Sequence, residues 1–369
     1  MGTWLDRLPE GAGAWLLANA APPIRWRWLT EIVGLPDDHG DVVAARRALH
    51  DFPPSEKVIA AQDPEGTWRR KLAMFEAPNP SRRKGPGMVS EFLFLVERGF
   101  SADHPSALPV VERLLTDLVP SCRADLHEFT GVVGHGPGGD TDVRDLLFRL
   151  ALAALSRAGL GDDPRVAPHA DLWIERLIAQ ELGSIVPVDT VGEETDEAGV
   201  TWAILAPGII PLDHVTLDVL AWSPRVRAHP KGGMLRRRVV DRLFAWTASP
   251  HWRLRARGKP LCDLRLPRIV DWAPARFAEG GIAFLLRDLD LLARLGRLPE
   301  TPKAVGLLEE ILSNMDPDGA FRRDAWIEKH ETPSLYPWFP LEESWRGKHK
   351  RYTDVTLRTA GILKTLDAS

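Results

Sequence analysis

Residues 60–71 read AAQDPEGTWRRK, and far downstream residues 313–324 read SNMDPDGAFRRD. Both carry Asp-Pro, an acidic residue, Gly, an aromatic two places on, and then Arg-Arg. Pro64 and Pro317 preset φ for a turn, and Gly66 and Gly319 accept the positive φ that such a turn requires. Each copy therefore ends one helix and turns the chain. Two copies of one device point to a repeated architecture.

Outward from these turns, helical periodicity dominates. SALPVVERLLTDLV (106–119) sets Leu108, Val111, Leu115 and Leu118 on one stripe and keeps Glu112, Arg113 and Asp117 mostly off it. That is a helix with one wet face. DPRVAPHADLWIERLIAQEL (163–182) and TPKAVGLLEEILSN (301–314) follow the same rule. GMVSEFLFLVERG (87–99), DVRDLLFRLALAALSRAG (142–159) and GGIAFLLRDLDLLARLG (280–296) are instead apolar nearly all round, as helices buried on every side are. The two kinds alternate. All-round segments begin near Ile24, Met88, Asp142, Leu212, Gly280 and Tyr352. One-faced segments fall between them, near 41–50, 106–118, 164–181, 234–248 and 302–314, and a helix over 3–19 supplies the sixth. The expected fold is all-α: one (α/α)6 toroid over residues 1–369, six inner helices shielded by six outer ones, with the N-terminal helix closing the ring. An open stack of hairpins also alternates, but it wets one face of its inner helices. Strand signal is thin. GVTWAILAPGIIPL (199–212) reads as one hairpin arm or an extended loop, and EETDEAGV (193–200) as an exposed acidic loop. APNPSRRKGPG (77–87) and ETPSLYPWFPLEESWRGKHK (331–350) are long Pro-rich connections expected at one rim.

Charge is nearly balanced, 47 Lys and Arg against 51 Asp and Glu. No long basic run tracks a phosphate backbone, so nucleic acid is not an expected partner. LRRRVV (235–240) and RGKHKR (346–351) are short and read as solvated helix ends. Cys122 and Cys262 stand far apart without CxxC partners, which argues for a reducing, cytoplasmic setting. The apolar run in the first twenty residues follows Asp6, Arg7 and Glu10 and reads as a helix, not a signal peptide. No apolar run approaches the ~18 residues of a membrane span. There is no P-loop, no dinucleotide fingerprint, no H-E-x-x-H and no G-x-S-x-G, so no cofactor is expected.

QDPEGTW (62–68) resembles the QW motif of squalene and terpenoid cyclases, Q-x-x-x-G-x-W, through Gln62, Gly66 and Trp68. NMDPDGAF (314–321) resembles it more distantly, with Asn314 and Phe321 in the outer positions. PPIRWRWLTEIVGLP (22–36) and RYTDVTLRTAGILKTL (351–366) look like the first and last segments of such chains. As a whole the sequence is similar to bacterial squalene-cyclase-like, prenyltransferase-repeat proteins of the terpenoid cyclase and protein prenyltransferase α/α-toroid superfamily. The resemblance implies that Gln62 ties down helix-end backbone groups and that Trp68 stacks on it. It also implies a central cavity for a hydrophobic, isoprenoid-type small molecule. Members that protonate an alkene or epoxide carry D-x-D-D where an inner helix begins. The matching stretch here is Asp140-Thr141-Asp142-Val143, with Val in the last place. By resemblance Asp142 is the proton donor of a class II-type terpene cyclase and Asp140 its partner. Two adjacent carboxylates cannot both ionise easily, so one remains an acid. His135, in the same Gly-rich loop, is placed to hydrogen-bond that pair. The plain alternative is that Asp140 or Asp142 caps the helix and Asp145 complements its dipole.

Other candidates are polar or aromatic residues near inner-helix starts. Asp213 and His214, in IIPLDHVTLDVLAW (209–222), read as an acid–base pair or as a capping Asp followed by a part-buried His. Asp288 and Asp290 in DLDL (288–291) lie too deep for the rim and read as a polar stripe or an ion pair with Arg287 or Arg294. Trp26, Trp28, Trp222, Trp272, Trp338 and Trp345 lie at or near inner-helix starts or rim loops; in the terpenoid cyclases that the sequence resembles such rings stabilise carbocations, and core packing explains most of them equally well. Arg25 and Arg27 are placed to hold an anionic group such as a diphosphate. Cys122, Asp125 and His127 have zinc-ligand chemistry but neither the spacing nor a fourth ligand, so no metal is expected. Two functions follow: an enzyme cyclising an isoprenoid-like molecule, or a non-catalytic toroid serving as a ligand-binding or protein-interaction scaffold. A polysaccharide lyase or hydrolase ranks third, since Tyr336 and Tyr352 are the only tyrosines. The lining of the cavity separates the first two. An apolar, aromatic-walled pocket with Asp142 at its mouth is the enzyme's signature, and a ring filled with side chains is the scaffold's.

Overall fold

The computed structural model describes residues 3–68, 88–117, 141–183, 190–195, 199, 201–205, 209–245, 251–256, 259–264, 282–321, 341–343 and 350–368. These residues are mostly helical. A 3-10 turn (Leu5–Arg7) leads to α1 (Ala12–Asn19) and α2 (Pro22–Arg27), which runs on as a π-helical turn (Trp28–Val33). Then come α3 (Gly40–His50), α4 (Pro53–Ala60), α5 (Met88–Glu97), α6 (Leu108–Asp117), α7 (Thr141–Arg157) and α8 (Ala167–Gly183). Strands β1 (Thr190–Thr195) and β2 (Thr201–Leu205) precede α9 (His214–Trp222), α10 (Pro224–Ala228) and α11 (Gly232–Ala245). Strands β3 (His251–Ala256) and β4 (Lys259–Leu264) precede α12 (Ile282–Arg294), α13 (Pro302–Ser313) and α14 (Lys350–Ala368). Proline stands in the first two positions of α2, α4, α10 and α13, where its missing N–H has no intrahelical partner to lose.

Burial sorts the helices into the two expected kinds. α9 is buried continuously from His214 to Ala221, and α7 from Arg149 to Ser156. α13 buries one stripe, Ala304, Leu307, Leu308 and Ile311, spaced i, i+3, i+4, i+7. In α6 the stripe is Val110, Val111, Leu114 and Leu115; Leu108, expected inside, is 45% exposed. The all-round helices pack in chain order: α5 on α7, α7 on α9, α9 on α12, α12 on α14, and α14 back on α2 and its π-turn. The chain's two ends meet. The Asp367 carboxylate accepts from the N–H groups of Trp4 (2.6 Å) and Leu5 (3.0 Å), Arg7 pairs with Glu309, and the Ala21 N–H donates to Glu342 Oε1 at 3.0 Å.

The repeated turn is built the same way twice. Gly66 N–H donates to Asp63 O (2.9 Å) and Asp63 N–H to Thr67 O (2.8 Å); Gly319 donates to Asp316 O (2.7 Å) and Asp316 to Ala320 O (3.0 Å). Each glycine has positive φ and abuts the start of a helix, Gly66 that of α6 and Gly319 that of α1. A Cβ on Gly66 would lie 2.5 Å from Pro109 Cγ, and one on Gly319 would lie 2.3 Å from Ala12 Cβ. Gln62 Nε2 donates to Gly66 O and Ser106 O, both at 2.7 Å, and the buried Trp68 indole donates to Val58 O at 2.8 Å. The second copy keeps the turn and a buried aromatic, Phe321, but not the clamp. Asn314 reaches back to Glu310 O in its own helix (2.6 Å), and Met315 stands where Gln62 does.

One addition was not expected. A four-stranded sheet, in the order β1-β2-β3-β4, is formed by the connections from α8 to α9 and from α11 to α12. β1 and β2 pair antiparallel, as do β3 and β4, and β2 joins β3 in parallel. β2 is the hairpin arm read in 199–212. β1 takes Glu193–Thr195 out of the acidic loop expected there.

Candidate functional site

Several inner segments end alike. Gly34, Gly99, Gly159 and Gly296 follow the π-turn, α5, α7 and α12 with positive φ. The next N–H returns to a carbonyl one turn inside: Phe100 to Leu95 O (3.1 Å), Leu160 to Leu155 O (2.9 Å), Arg297 to Leu292 O (2.9 Å). This cap satisfies the last carbonyls and fixes which side chains of the last turn point inward. The residue two before each glycine, namely Ile32, Glu97, Arg157 and Arg294, lines one cavity of about 360 Å³. Asp218 and Trp222 of α9 line it as well, and so do Leu357, Arg358, Gly361 and Lys364 of α14.

Six cations face this cavity, Arg27, Arg157, Arg287, Arg294, Arg358 and Lys364, against four carboxylates, Glu31, Glu97, Asp218 and Asp290. Most are joined in an alternating chain across α5, α7, α9, α12 and α14. Asp354 takes Arg358 Nε at 2.8 Å, Arg358 Nη2 stands 3.4 Å from Glu97, and Glu97 binds Arg157. Arg157 Nη1 lies 3.7 Å from Asp218, which holds Arg287 at 2.6 Å. Arg27 forks onto Glu31 through Nε and Nη2, both at 2.8 Å. Arg294 Nε sits 3.0 Å from both oxygens of Asp290, and its guanidinium lies 3.5 Å from the Trp222 ring centroid, with Arg157 at 5.3 Å. The Nη groups of Arg294 and the Nζ of Lys364 have no hydrogen-bond partner among the described residues. Burial alone would raise Glu97, but Arg157, Arg358, Arg27 and Arg287 outweigh it and hold the carboxyl below its ordinary value. Burial would lower Arg27 and Arg157; Glu31 for the first, and Glu97 with Asp218 for the second, reverse that and raise both. Glu97 is therefore a fixed anion, not a proton donor.

The start of α7, where Asp142 stands, is not the end of that helix that lines this cavity. Asp142 is the second residue of α7 and Arg157 the last, so about 22 Å of helix separates them, at 1.5 Å per residue. Asp140, His135, Trp272, Trp338, Trp345, Cys122, Asp125 and His127 lie outside the described residues. Asp213 and His214 are both buried, yet they are not paired with each other and do not line the cavity. Asp213 caps α9 by accepting the Thr216 N–H (2.9 Å) and is gripped by Arg149 Nη1 at 2.8 and 2.9 Å. His214 Nε2 stands 3.4 Å from Asp288 Oδ1. Arg25 is exposed and off the cavity, whereas its neighbour Arg27 lines it. Trp26 packs against Gly99 and Trp28 is in the core; Trp222 does face the cavity. Of the DLDL carboxylates, Asp290 forms the expected ion pair with Arg294, and Asp288 turns to His214.

Glu97, Arg157, Asp218, Arg358 and Lys364 escaped the sequence reading, and Arg287 entered it only as a possible ion-pair partner of Asp288 or Asp290. A signal for two of them was present: a charged residue two places before the Gly-Phe at 99–100 and the Gly-Leu at 159–160. Among the described residues no group of three or more His, Cys, Asp or Glu is arranged to hold a metal, and no helix is long and apolar enough to cross a membrane. No protein family, curated protein or solved structure matches the chain.

Proposed function

We propose that the chain is a closed (α/α)6 toroid whose central cavity binds a small, anion-bearing molecule. The observation that carries this is the surplus of donors: six cations face four carboxylates, and Arg294 and Lys364 offer N–H groups that no described neighbour takes. Ile32, Leu286, Leu291 and Leu357 give the same cavity an apolar side, which suits a ligand with a charged head and a hydrocarbon part. Chain-order packing of the inner helices and the meeting of Trp4 and Leu5 with Asp367 support closure. A binding role is favoured over acid catalysis at this mouth, because Glu97 is held ionised and Asp218 and Asp290 are each bound to an arginine. A second reading, isoprenoid cyclisation begun by Asp142, draws its support from the Gln62–Trp68 clamp, which is a fold-level likeness.

One experiment tests both. C10–C20 prenyl diphosphates, and the matching alcohols, are added to the protein while thermal stability and products are followed, with Asp142→Asn beside the wild type. The binding reading expects diphosphates at a hundredfold excess over Kd to stabilise by about 2.7 kcal/mol, and alcohols not to. Equal stabilisation by the alcohols removes it. A cyclised product that disappears in Asp142→Asn establishes the second reading, and product unchanged in that variant removes Asp142 as the acid.

A further inference from the structure

Several turns that lead into a helix carry an arginine that crosses to another helix. Arg165, ahead of α8, reaches Glu112 of α6 at 2.8 Å, and Arg225, opening α10, reaches Asp171 of α8 at 2.6 Å. Arg297, ahead of α13, reaches Asp241 of α11 at 2.9 Å, and Arg7, ahead of α1, pairs with Glu309 of α13. The turn ahead of α6 makes its crossing differently. It lays His104 on His50, the last residue of α3, with ring centroids 5.4 Å apart and planes 27° from parallel. The Phe100 ring stands edge-on to both, 5.6 Å from His50 and 5.0 Å from His104. Opposite charges hold the other joints, and two imidazoles hold this one.

The backbone beneath His104 matches that of a charged counterpart. His104 O accepts from Ala107 (2.7 Å) and Leu108 (3.0 Å), as Asp163 O does from Val166 (2.8 Å) and Ala167 (2.9 Å). Each side chain also takes the N–H two residues on: Ser106 donates to His104 Nδ1 at 3.2 Å, and Arg165 to Asp163 Oδ1 at 2.8 Å. A carboxylate keeps that acceptor through the neutral range. An imidazole keeps it only while neutral, because a second proton turns Nδ1 from acceptor to donor. Among the described residues no carboxylate pairs with either ring. Arg46 of α3 is turned to Asp37 (2.5 Å), Arg98 at the end of α5 lies over the Phe94 ring, and Glu112 of α6 is taken by Arg165. Burial, then His50, hold His104 below its ordinary value against the pull of Asp103.

We propose that the α3–α6 joint is an acid-released switch, closed while His50 and His104 are neutral and opened when both take up a proton. Protonation removes the acceptor for Ser106 and sets two like charges face to face. A lowered value in the closed joint means that the opened one binds protons more readily. The joint is therefore intact above the ordinary histidine value of about 6.5 and fails as pH falls through the lowered one. Phe100 links the joint to the cavity, since its N–H closes the α5 cap on Leu95 O (3.1 Å) just after Glu97, a cavity-lining residue.

Hydrogen exchange of the full chain, followed from about pH 8 to about pH 5 and corrected for the intrinsic pH dependence of exchange, reads the joint at the Ser106, Val110 and Val111 amides. Protection there is expected to fall about fivefold, the worth of a helix cap, while the Arg165, Val166 and Ala170 amides of the Asp163 turn hold theirs. His104→Asn keeps an acceptor for Ser106 without a proton to gain, so its protection should stay flat. His50→Phe keeps a ring in the stack without its charge and should lessen the fall. His39→Gln, at the other end of α3, should respond as the wild type does. Flat wild-type protection overturns the proposal, and so does an equal loss in the Asp163 turn. A fall as large as the wild type's in His104→Asn or His50→Phe overturns it too, as does a fall abolished by His39→Gln.

Discussion

Closure of the proposed ring has a direct test in three glycines that share a backbone conformation and differ in surroundings. Gly34, Gly66 and Gly319 have φ of 79°, 75° and 81°. Forcing an L residue into that region costs about 1–2 kcal/mol whatever lies nearby. A Cβ on Gly34 meets nothing within 4 Å, so Gly34→Ala should lose that amount alone. A Cβ on Gly66 would stand 2.5 Å from Pro109 Cγ and 2.9 Å from its Cβ. The proline ring must shift, and overpacking adds about 1–3 kcal/mol. At Gly319 the obstruction is the start of α1 itself: Ala12 Cβ at 2.3 Å, Cα at 2.4 Å and N at 3.1 Å. A helix backbone gives less readily than a ring, so Gly319→Ala should be the most damaging, at roughly 4 kcal/mol or more on the same two contributions. Its damage should also be local to the seam. Urea denaturation gives the order, and hydrogen exchange at the Trp4 and Leu5 amides, which the Asp367 carboxylate protects, gives the location. If Gly319→Ala loses no more than Gly34→Ala, or if those amides stay protected, the contact between the last outer turn and the first outer helix does not hold the ends together.

Two carboxylates give opposite pH signatures. Glu97→Gln removes the anion that binds Arg157 and Arg358, and breaking a buried pair from one side costs about 3–5 kcal/mol. Because the folded protein holds Glu97 below its ordinary value, its contribution is complete above the unfolded pKa and fades as pH falls through the folded one; denaturation of this variant should show a deficit at neutral pH that closes in acid. Glu342 is the reverse case, since burial raises it despite bonds from Thr353 and the Ala21 N–H. Wild-type stability should fall as pH rises from the unfolded value through the raised one, by about 1.4 kcal/mol per pH unit between them. Glu342→Gln keeps an oxygen for Ala21 and has no charge to bury, so it should flatten that fall, and parallel pH profiles would refute the assignment.

Much of the fold was legible because it is written in local patterns. Whether α9 is buried all round, or α13 along one stripe, follows from which side chains recur at helical spacing. The Asp-Pro-Glu-Gly and Asp-Pro-Asp-Gly turns are local too, and they have the same hydrogen bonds in both places. The sheet was not anticipated because its middle pairing joins Trp202 and His251, far apart in sequence; HWRLRA (251–256), polar at His251, Arg253 and Arg255 and apolar between, did carry the alternation of a strand. The charged cavity was not anticipated for a related reason. Aspartates before helices are conspicuous, and capping chemistry explains them wherever they stand; Asp213 is one such cap. The cavity charges find their partners across helices, Glu97 with Arg157 and Asp218 with Arg287, and no window of sequence shows that.

Stability alone does not ask for such a centre. Replacing buried ion pairs by apolar side chains of similar volume is often neutral or stabilising, so a ring needing only to hold together has no use for this charge. Helix dipoles explain part of it. Helices α5, α7, α9 and α12 bring their negative C-terminal ends to the cavity, and Arg157 and Arg294, the last residues of α7 and α12, offset that field. The same field does not account for Arg27, which is bound to its own Glu31, or for Lys364, which has no acid beside it among the described residues, or for the glycine at 361. That excess of cations over carboxylates in the lining is the feature on which the proposed anion-binding role rests.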